Sequence, residues 1–268
     1  MRWKNAPLVS VVTVCRNAEK EVERTIQSVI QQDFPDFEYW IVDGLSTDNT
    51  VDTIEPYRKR LAGFVSEHDT GIYNAMNKAA RLVKGQWIIF MNAGDTFAST
   101  HVLSDVFSKI DESTLSKTDV IYGETIQKRS VGDFKLPNRP LHYILRGMAF
   151  CHQSVFVKTF LLRKFPFNED YRVVAIMFFL STLFTACEFF ISSGGSFMFR
   201  GRNRCLKSKK TTSGKREGYN TKYRSYAALE NWICPFGLSI SSKKLFFNPY
   251  SSENHRLDST QKLSTQSQ

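Results

Sequence analysis

Acids, amides and hydroxyls gather at three points in the first hundred residues, each suited to a polar, phosphorylated ligand. The first is Val42-Asp43-Gly44-Leu45-Ser46-Thr47-Asp48. An acid at the end of a strand can hold a ribose hydroxyl or a base edge. Asp43 and Asp48 equally suit turn and cap roles. The second is Ser66-Glu67-His68-Asp69-Thr70-Gly71-Ile72-Tyr73-Asn74-Ala75-Met76-Asn77-Lys78. Thr70 or Asp69 could cap a helix, with Asn77 and Lys78 about two turns further on. Lys78 could meet a phosphate or remain a solvated charge. The third is Met91-Asn92-Ala93-Gly94-Asp95. An acid on a glycine turn after an apolar run suits a divalent cation, because Mg²⁺ takes few carboxylates and completes its shell with phosphate and water. An ordinary turn aspartate fits there too. No G-x-G-x-x-G follows the first strand and no G-x-x-x-x-G-K-[ST] occurs, so neither a dinucleotide nor a P-loop cradle is supported.

Those residues need elements to position them. Leu8 to Val14 is a β-branched run that reads as a buried strand. Glu19 to Gln32 carries Val22, Ile26, Val29 and Ile30 at helical spacing and ends near Asp33-Phe34-Pro35. Tyr39 to Val42 is a second strand, and Ser46-Thr47-Asp48 offers cap chemistry for a helix through Val51, Ile54 and Tyr57. Gly63 to Ser66 is a third strand. Ile72, Ala75, Met76, Ala79 and Val83 mark a helix face, and Trp87 to Met91 is an apolar, central strand. A helix over His101 to Ile110 and a strand over Asp119 to Tyr122 follow. This alternation predicts a mostly parallel, doubly wound α/β sheet whose ligands bind beyond the carboxyl ends of the strands. The pattern loosens after about residue 130. Val155 to Val157 reads as a strand and Lys158 to Lys164 as a short helix.

Charge divides the chain. Of its 268 residues, 1–199 hold 22 Lys+Arg and 22 Asp+Glu, whereas 200–224 hold ten Lys+Arg and one acid, Glu217. Nearly all of the net +10 therefore lies in a basic run after a neutral body. No basic stripe or aromatic platform marks the body, which argues against a nucleic-acid partner. Residues 251–268 are Ser/Thr/Gln-rich and read as poorly ordered, giving a folded domain over 1–199 and a tail over 200–268. The five cysteines form no C-x-x-C pair, which fits reduced, cytoplasmic thiols. The first residues read as lacking a secretory leader.

Taken together, the motifs resemble family 2 glycosyltransferases. Val9-Ser10-Val11-Val12-Thr13-Val14-Cys15-Arg16-Asn17-Ala18, with Thr25-Ile26-Gln27-Ser28-Val29, is similar to the start of that family. Ile41 to Asp48 resembles its second strand and acidic loop, Ser66 to Lys78 its helix-opening signature, and Asn92-Ala93-Gly94-Asp95 its D-x-D type metal motif. Cys151-His152-Gln153-Ser154-Val155-Phe156 resembles the strand before its acceptor region. The resemblance spans about residues 8–172. It implies a GT-A fold, Rossmann-like with an irregular C-terminal region, and inverting sugar transfer from a nucleoside-diphosphate sugar to a hydroxyl of a glycan or lipid-linked acceptor. It implies a nucleotide-sugar site of Thr13, Asn17, Asp43, Ser46, Asp48, Asp69, Gly71, Asn77 and Lys78. It places Mg²⁺ or Mn²⁺ at Asp95 and Asn92, and His152 and Gln153 on the acceptor side.

Two departures stand out. Asn92 replaces a usual acid, so the metal site leans on Asp95. After Asn168-Glu169-Asp170-Tyr171-Arg172 the acids expected to supply the catalytic base fall on Ile176 and Phe178, which cannot take a proton. Glu169 and Asp170 are the carboxylates nearby. The apolar stretch Val173 to Ile191 has three readings: a buried core helix, a membrane span, or a departure from the family's reading frame, and the joint loss of the acid motif, of periodicity and of charge balance favours the last. The last predicts an acid-containing continuation in another frame of the gene. These readings leave three functions open: an active transferase in polysaccharide or cell-surface glycan synthesis, a nucleotide-sugar binder with impaired catalysis, and a membrane-associated protein. A cytoplasmic protein touching the inner membrane face through its basic run suits the last.

Overall fold

The computed structural model describes residues 6–202, apart from 130–131, 137, 140, 146–148, 172–174, 185–188 and 192–197. The basic run beyond residue 202 and the polar tail lie outside the described residues.

The chain opens with β1 (Val9–Cys15), α1 (Val22–Ile30), β2 (Phe37–Asp43), α2 (Thr50–Ile54), β3 (Gly63–Ser66), α3 (Ile72–Leu82) and β4 (Trp87–Phe90). Next come β5 (Thr96–Phe97), α4 (Val102–Lys109), α5 (Glu112–Lys117), β6 (Val120–Tyr122), β7 (Glu124–Arg129) and β8 (Gly132–Leu136). The last elements are β9 (Val155–Lys158), α6 (Thr159–Lys164), α7 (Ala175–Phe184), β10 (Phe189–Ile191) and β11 (Met198–Arg202).

Seven strands form the main sheet in the order β10-β6-β9-β4-β1-β2-β3. The pairs β1–β2, β1–β4, β2–β3 and β10–β6 are parallel, while β9 runs antiparallel to both β4 and β6. The parallel α/β expectation therefore holds, with one reversed strand that the local pattern of Val155 to Lys158 cannot signal. A smaller sheet, β5-β11-β7-β8, lies beside it. Its β7–β8 hairpin and β11 fall where the sequence pattern loosens, and β11 straddles the domain boundary drawn at residue 199.

Alternation along the strands builds a core on each face. Val12, Val14, Ile88 and Phe90 face α3, α6 and α7, whereas Val9, Val11, Trp87 and Ile89 face α1, α2 and α4. In a parallel sheet covered on both sides, near-continuous apolar strands are expected, and every residue of β1 and β4 is buried.

The apolar segment after residue 174 resolves into a ten-residue helix. Ala175, Ile176, Phe179, Leu180 and Leu183 of α7 are buried against the core that contains Tyr73, Phe90 and Phe167. Spacing of three and four residues puts them on one face. Within Val173 to Ile191, Ala175–Phe184 thus forms a core-facing helix and Phe189–Ile191 is β10, while 173–174 and 185–188 lie outside the described residues; no helix among the described residues is long and apolar enough to cross a membrane. The helix expected through Tyr57 is α2 followed by a 3-10 turn, Glu55–Arg60, with Pro56 in its first turn. Proline there has no N–H to continue an α-helical ladder.

Candidate functional site

Three strands end in register. Cys15 lies beside Asp43, and Asp43 beside Ser66. This places the fully buried Asp43 carboxylate in a ring of donors. It accepts from the Ser46 N–H at 2.9 Å, from the Ser46 hydroxyl, and from the Ser66 hydroxyl at 2.7 Å. The Cys15 thiol lies 3.7 Å from Asp43 Oδ1, and burial, with Asp43 next to it, pushes that thiol well above its usual range.

The loops after β1 and β2 are stitched together. The Asn17 N–H donates to Ser46 Oγ at 2.8 Å, and the Thr47 N–H donates to Asn17 Oδ1 at 2.8 Å. Asn17 (φ 49°) and Leu45 (φ 57°) both adopt the left-handed region. Asparagine tolerates it, but leucine does so at a cost of about 1–2 kcal/mol. Leu45 is also an exposed large apolar residue. Asp48 accepts from the Thr50 N–H at 3.0 Å and from the Glu19 N–H at 3.3 Å. The Thr50 hydroxyl, with these amides, holds its carboxyl below the usual range. Asp48 thus tends the start of α2 from just outside its N-cap, Asn49. Asp69 is buried with its carboxylate against Gly44, where an added Cβ would lie 2.1 Å from Asp69 Oδ2. Gly44 permits that approach.

A second group forms after β4. The Thr25 hydroxyl donates to Asp95 O and accepts from the Gly94 N–H, both at 2.8 Å. Arg24 also donates to Gly94 O at 2.5 Å. Gly94 has φ 98°, which a residue with a Cβ adopts poorly. α1 therefore clamps the turn that presents Asp95. Gln153 Nε2 donates to Asp95 Oδ2 at 2.6 Å, so the Cys151-to-Phe156 motif joins the metal motif. The buried Asn92 Oδ1 has no hydrogen-bond partner among the described residues. His152 beside them is held down to about 4 from its usual 6.5 by burial, and is neutral near pH 7.

The third group joins α3 to the turn before α7. Asn77 Nδ2 donates to Phe167 O at 2.9 Å and to Glu169 Oε1 at 2.8 Å, while the Phe167 N–H donates to Asn77 Oδ1 at 2.9 Å. Asn74 Nδ2 donates to Glu169 Oε2 at 2.8 Å, and the Thr70 hydroxyl at 3.4 Å. The amides of Asn77 and Asn74 hold the Glu169 carboxyl below its usual range.

The structure thus brings Asn17, Asp43, Ser46, Asp48 and Asp69 to one strand-end cluster, and Asn92, Asp95 and Gln153 to another. Other sequence-derived candidates face elsewhere. The buried Thr13 hydroxyl meets Tyr39 OH at 2.8 Å. Lys78 bonds His68 O at 2.7 Å and Glu67 Oε1 at 2.8 Å. Asn77 serves the Phe167 backbone. Asp170 is exposed, and its N–H donates to Asn168. The cap expected from Thr70 or Asp69 is absent: Gly71 is the N-cap of α3 and no side chain caps it. Asp69 turns inward to Gly44 and Thr70 toward Glu169. Sequence reading passed over Arg24 and Asn74. The i, i+3 spacing of Asn74 and Asn77 placed both amides on one helix face and was the available signal.

The doubly wound α/β sheet, with acids, amides and a glycine turn at its strand ends, is a fold of the GT-A type. Residues 10–172 match Glycosyl transferase family 2, and the chain belongs to that family. It is 32% identical over 178 residues to a PGL/p-HBAD biosynthesis glycosyltransferase of Mycobacterium bovis, covering 63% of this chain and 67% of the relative. The fold is similar to residues 1–349 of Staphylococcus aureus TarS solved with UDP-GlcNAc. The TM-score there is 0.61 at 22% identity, covering 73% of this chain and 58% of TarS 1–349. It is also similar to a mannosyltransferase of Pyrobaculum calidifontis solved with GDP-Man and Mn²⁺ (TM-score 0.57, 17% identity, 87% of this chain and 67% of the other). The chain thus spans under two thirds of the TarS structure's length.

Proposed function

We propose that this family 2 member transfers a sugar, with inversion, from a nucleoside-diphosphate sugar to a hydroxyl of a surface glycan or lipid-linked acceptor. The observation that carries the reading is the Asp43–Ser46–Asn17–Asp69 cluster at the carboxyl ends of β1 and β2, where ligands of such sheets bind. Related proteins named for glycan biosynthesis support it, as do the sugar nucleotides in the solved neighbours.

Asp69 would receive a donor group of the nucleoside beside the Ser46 turn that the buried Asp43 fixes. A divalent cation fits the third strand end: Asp95 offers a carboxylate, and Asn92 Oδ1 is a buried oxygen without a partner. Among the described residues no three His, Cys, Asp or Glu side chains cluster as a ligand set, so Mg²⁺ or Mn²⁺ would take further ligands from phosphate and water. When bound, the ion supplies charge neutralisation for the departing diphosphate. The Thr25–Arg24 clamp fixes the Asp95 turn, and Gln153 orients its carboxylate.

Deprotonation of the acceptor is the weak step. Glu169 already accepts three side-chain hydrogen bonds, which hold its carboxyl below its usual range and make it a poor base. Ile176 and Phe178 offer no proton acceptor. This observation favours a second reading, a sugar-nucleotide binder with slow turnover. The same proposal places the protein in the cytoplasm, where a buried thiol such as that of Cys15 stays reduced. Calorimetry with UDP and GDP, with and without Mn²⁺, tests the binding site, and product analysis with UDP-sugars tests transfer. Absence of both binding and transfer would overturn the proposal. Binding without turnover would select the second reading.

A further inference from the structure

The smaller sheet ends on an edge that no described strand covers. β8 is its outermost strand and, among the described residues, pairs with β7 alone. All five of its residues, Gly132-Asp133-Phe134-Lys135-Leu136, are exposed. Phe134 and Leu136, at 41% and 37% exposed, share one face, and Asp133 and Lys135 share the other. Such an edge presents a row of backbone N–H and C=O groups able to extend the sheet. Arg129 faces Gly132 across a two-residue connection, so that pair is a hydrogen-bonded one. Alternation then turns the N–H and C=O of Phe134 toward β7, and those of Asp133 and Lys135 outward.

Charge order selects what pairs with this edge. Charged side chains commonly protect an edge strand, but here an acid and a base stand two residues apart on one face. A second β8 laid antiparallel about a two-fold axis through Phe134 sets Asp133 opposite the second copy's Lys135, and Lys135 opposite the second copy's Asp133. These are the outward-facing residues, so each pair exchanges both of its backbone hydrogen bonds. Phe134 meets its own copy at the non-hydrogen-bonded position between them, where side chains approach most closely. An axis through Asp133 or through Lys135 would instead set like charges against each other. The flanking strand continues the pattern. Lys128 lies across from Asp133, and Lys135 Nζ is 2.5 Å from Glu124 Oε2. Across four strands the order becomes Lys128, Asp133, then the second copy's Lys135 and Glu124, alternating in sign. The hairpin is also rooted beside the candidate site: the Gly123 N–H, just before β7, donates to Ser154 O at 3.0 Å, next to the Gln153 that holds Asp95.

We infer that two copies of this chain associate through antiparallel pairing of their β8 strands, centred on Phe134. The contact is isologous and closes on itself as a dimer. It is short beside a standard interface of about 1,600 Å², so the expected Kd is about 1–100 μM.

Sedimentation equilibrium of the full chain, up to about 300 μM, reads the association. Asp133→Lys and Lys135→Asp should each weaken it by about tenfold or more, because each makes the facing charges alike. Mixed in equal amounts, the two variants should associate with each other about as tightly as wild type, which a misfolded chain cannot do. The double variant Asp133→Lys/Lys135→Asp should self-associate again. Phe134→Cys gives a second readout that does not depend on charge. Facing Cα atoms at a non-hydrogen-bonded pair lie about 4.5 Å apart, within disulfide reach, so mild oxidation should cross-link this variant into dimers. Leu136→Cys, which faces the second copy's Gly132, should not exceed the background of the native cysteines. Wild type that stays monomeric to about 300 μM overturns the inference. So do dimers indifferent to both charge reversals, a mixture that shows no rescue, or Phe134→Cys cross-linking no better than Leu136→Cys.

Discussion

Asn77→Ala separates a structural clamp from a ligand contact. The resemblance implies a nucleotide-site role for Asn77, yet its amide is spent on the chain before α7. It receives the Phe167 N–H and donates to Phe167 O, both at 2.9 Å. Phe167 is buried, and its ring packs among Tyr73, Phe90 and Phe179 at centroid distances of 5.5, 6.0 and 5.1 Å. Alanine would orphan two backbone groups beneath that aromatic cluster. Each orphaned buried group costs about 1–3 kcal/mol, so the expected loss is about 2–5 kcal/mol. For a domain of this size that lowers Tm by roughly 5–15 °C. Thermal unfolding followed by circular dichroism reads it directly. Asn77→Asp is the companion variant: it keeps an acceptor for the Phe167 N–H but sets a carboxylate against Glu169, and should be at least as damaging. Below the transition, UDP affinity of Asn77→Ala should stay within about threefold of wild type. A Tm shift under about 2 °C together with lost UDP binding would refute the assignment.

Other perturbations follow from the same geometry. In Gly44→Ala the new methyl meets Asp69 Oδ2 at 2.1 Å; Asp69 must move, and UDP affinity should fall by about tenfold in calorimetry, with unchanged affinity counting against a role for Asp69. Chelating the divalent cation should weaken UDP binding by about tenfold in wild type and leave Asp95→Ala unaffected; a metal dependence that survives in Asp95→Ala would move the ion elsewhere. His152 binds a proton near 6.5 when unfolded but only at about 4 when folded. Stability is therefore full above 6.5 and declines as pH falls toward 4, by about 3 kcal/mol, and His152→Gln should flatten that slope in chemical denaturation. Ile176→Asp places an acid where the resemblance expects one, next to Tyr73, whose hydroxyl is approached by the Ala175 and Ile176 amides. It should lower Tm because Ile176 is buried. It should raise turnover with a competent donor by at least about tenfold, and no gain would show that the missing base does not limit the rate.

The sequence alone determined the alternation of strand and helix and the positions of Asp43, Asp69 and Asp95 after strands or before a helix, because periodicity and turn chemistry are local. It also marked the loss of acids at 176 and 178, which is a matter of residue identity. Tertiary structure decided the partners. Asn77 and Phe167 are ninety residues apart, and Gln153 and Asp95 fifty-eight, so no local pattern could pair them. The same holds for the antiparallel insertion of β9 between β4 and β6, and for β11, which joins β5 to β7. Val173 to Ile191 shows the division clearly. Its apolar composition allowed a core helix, a membrane span or a foreign continuation, and hydrophobicity alone does not distinguish one apolar environment from another. Only the docking of one α7 face on Tyr73, Phe90 and Phe167 gives that composition a location.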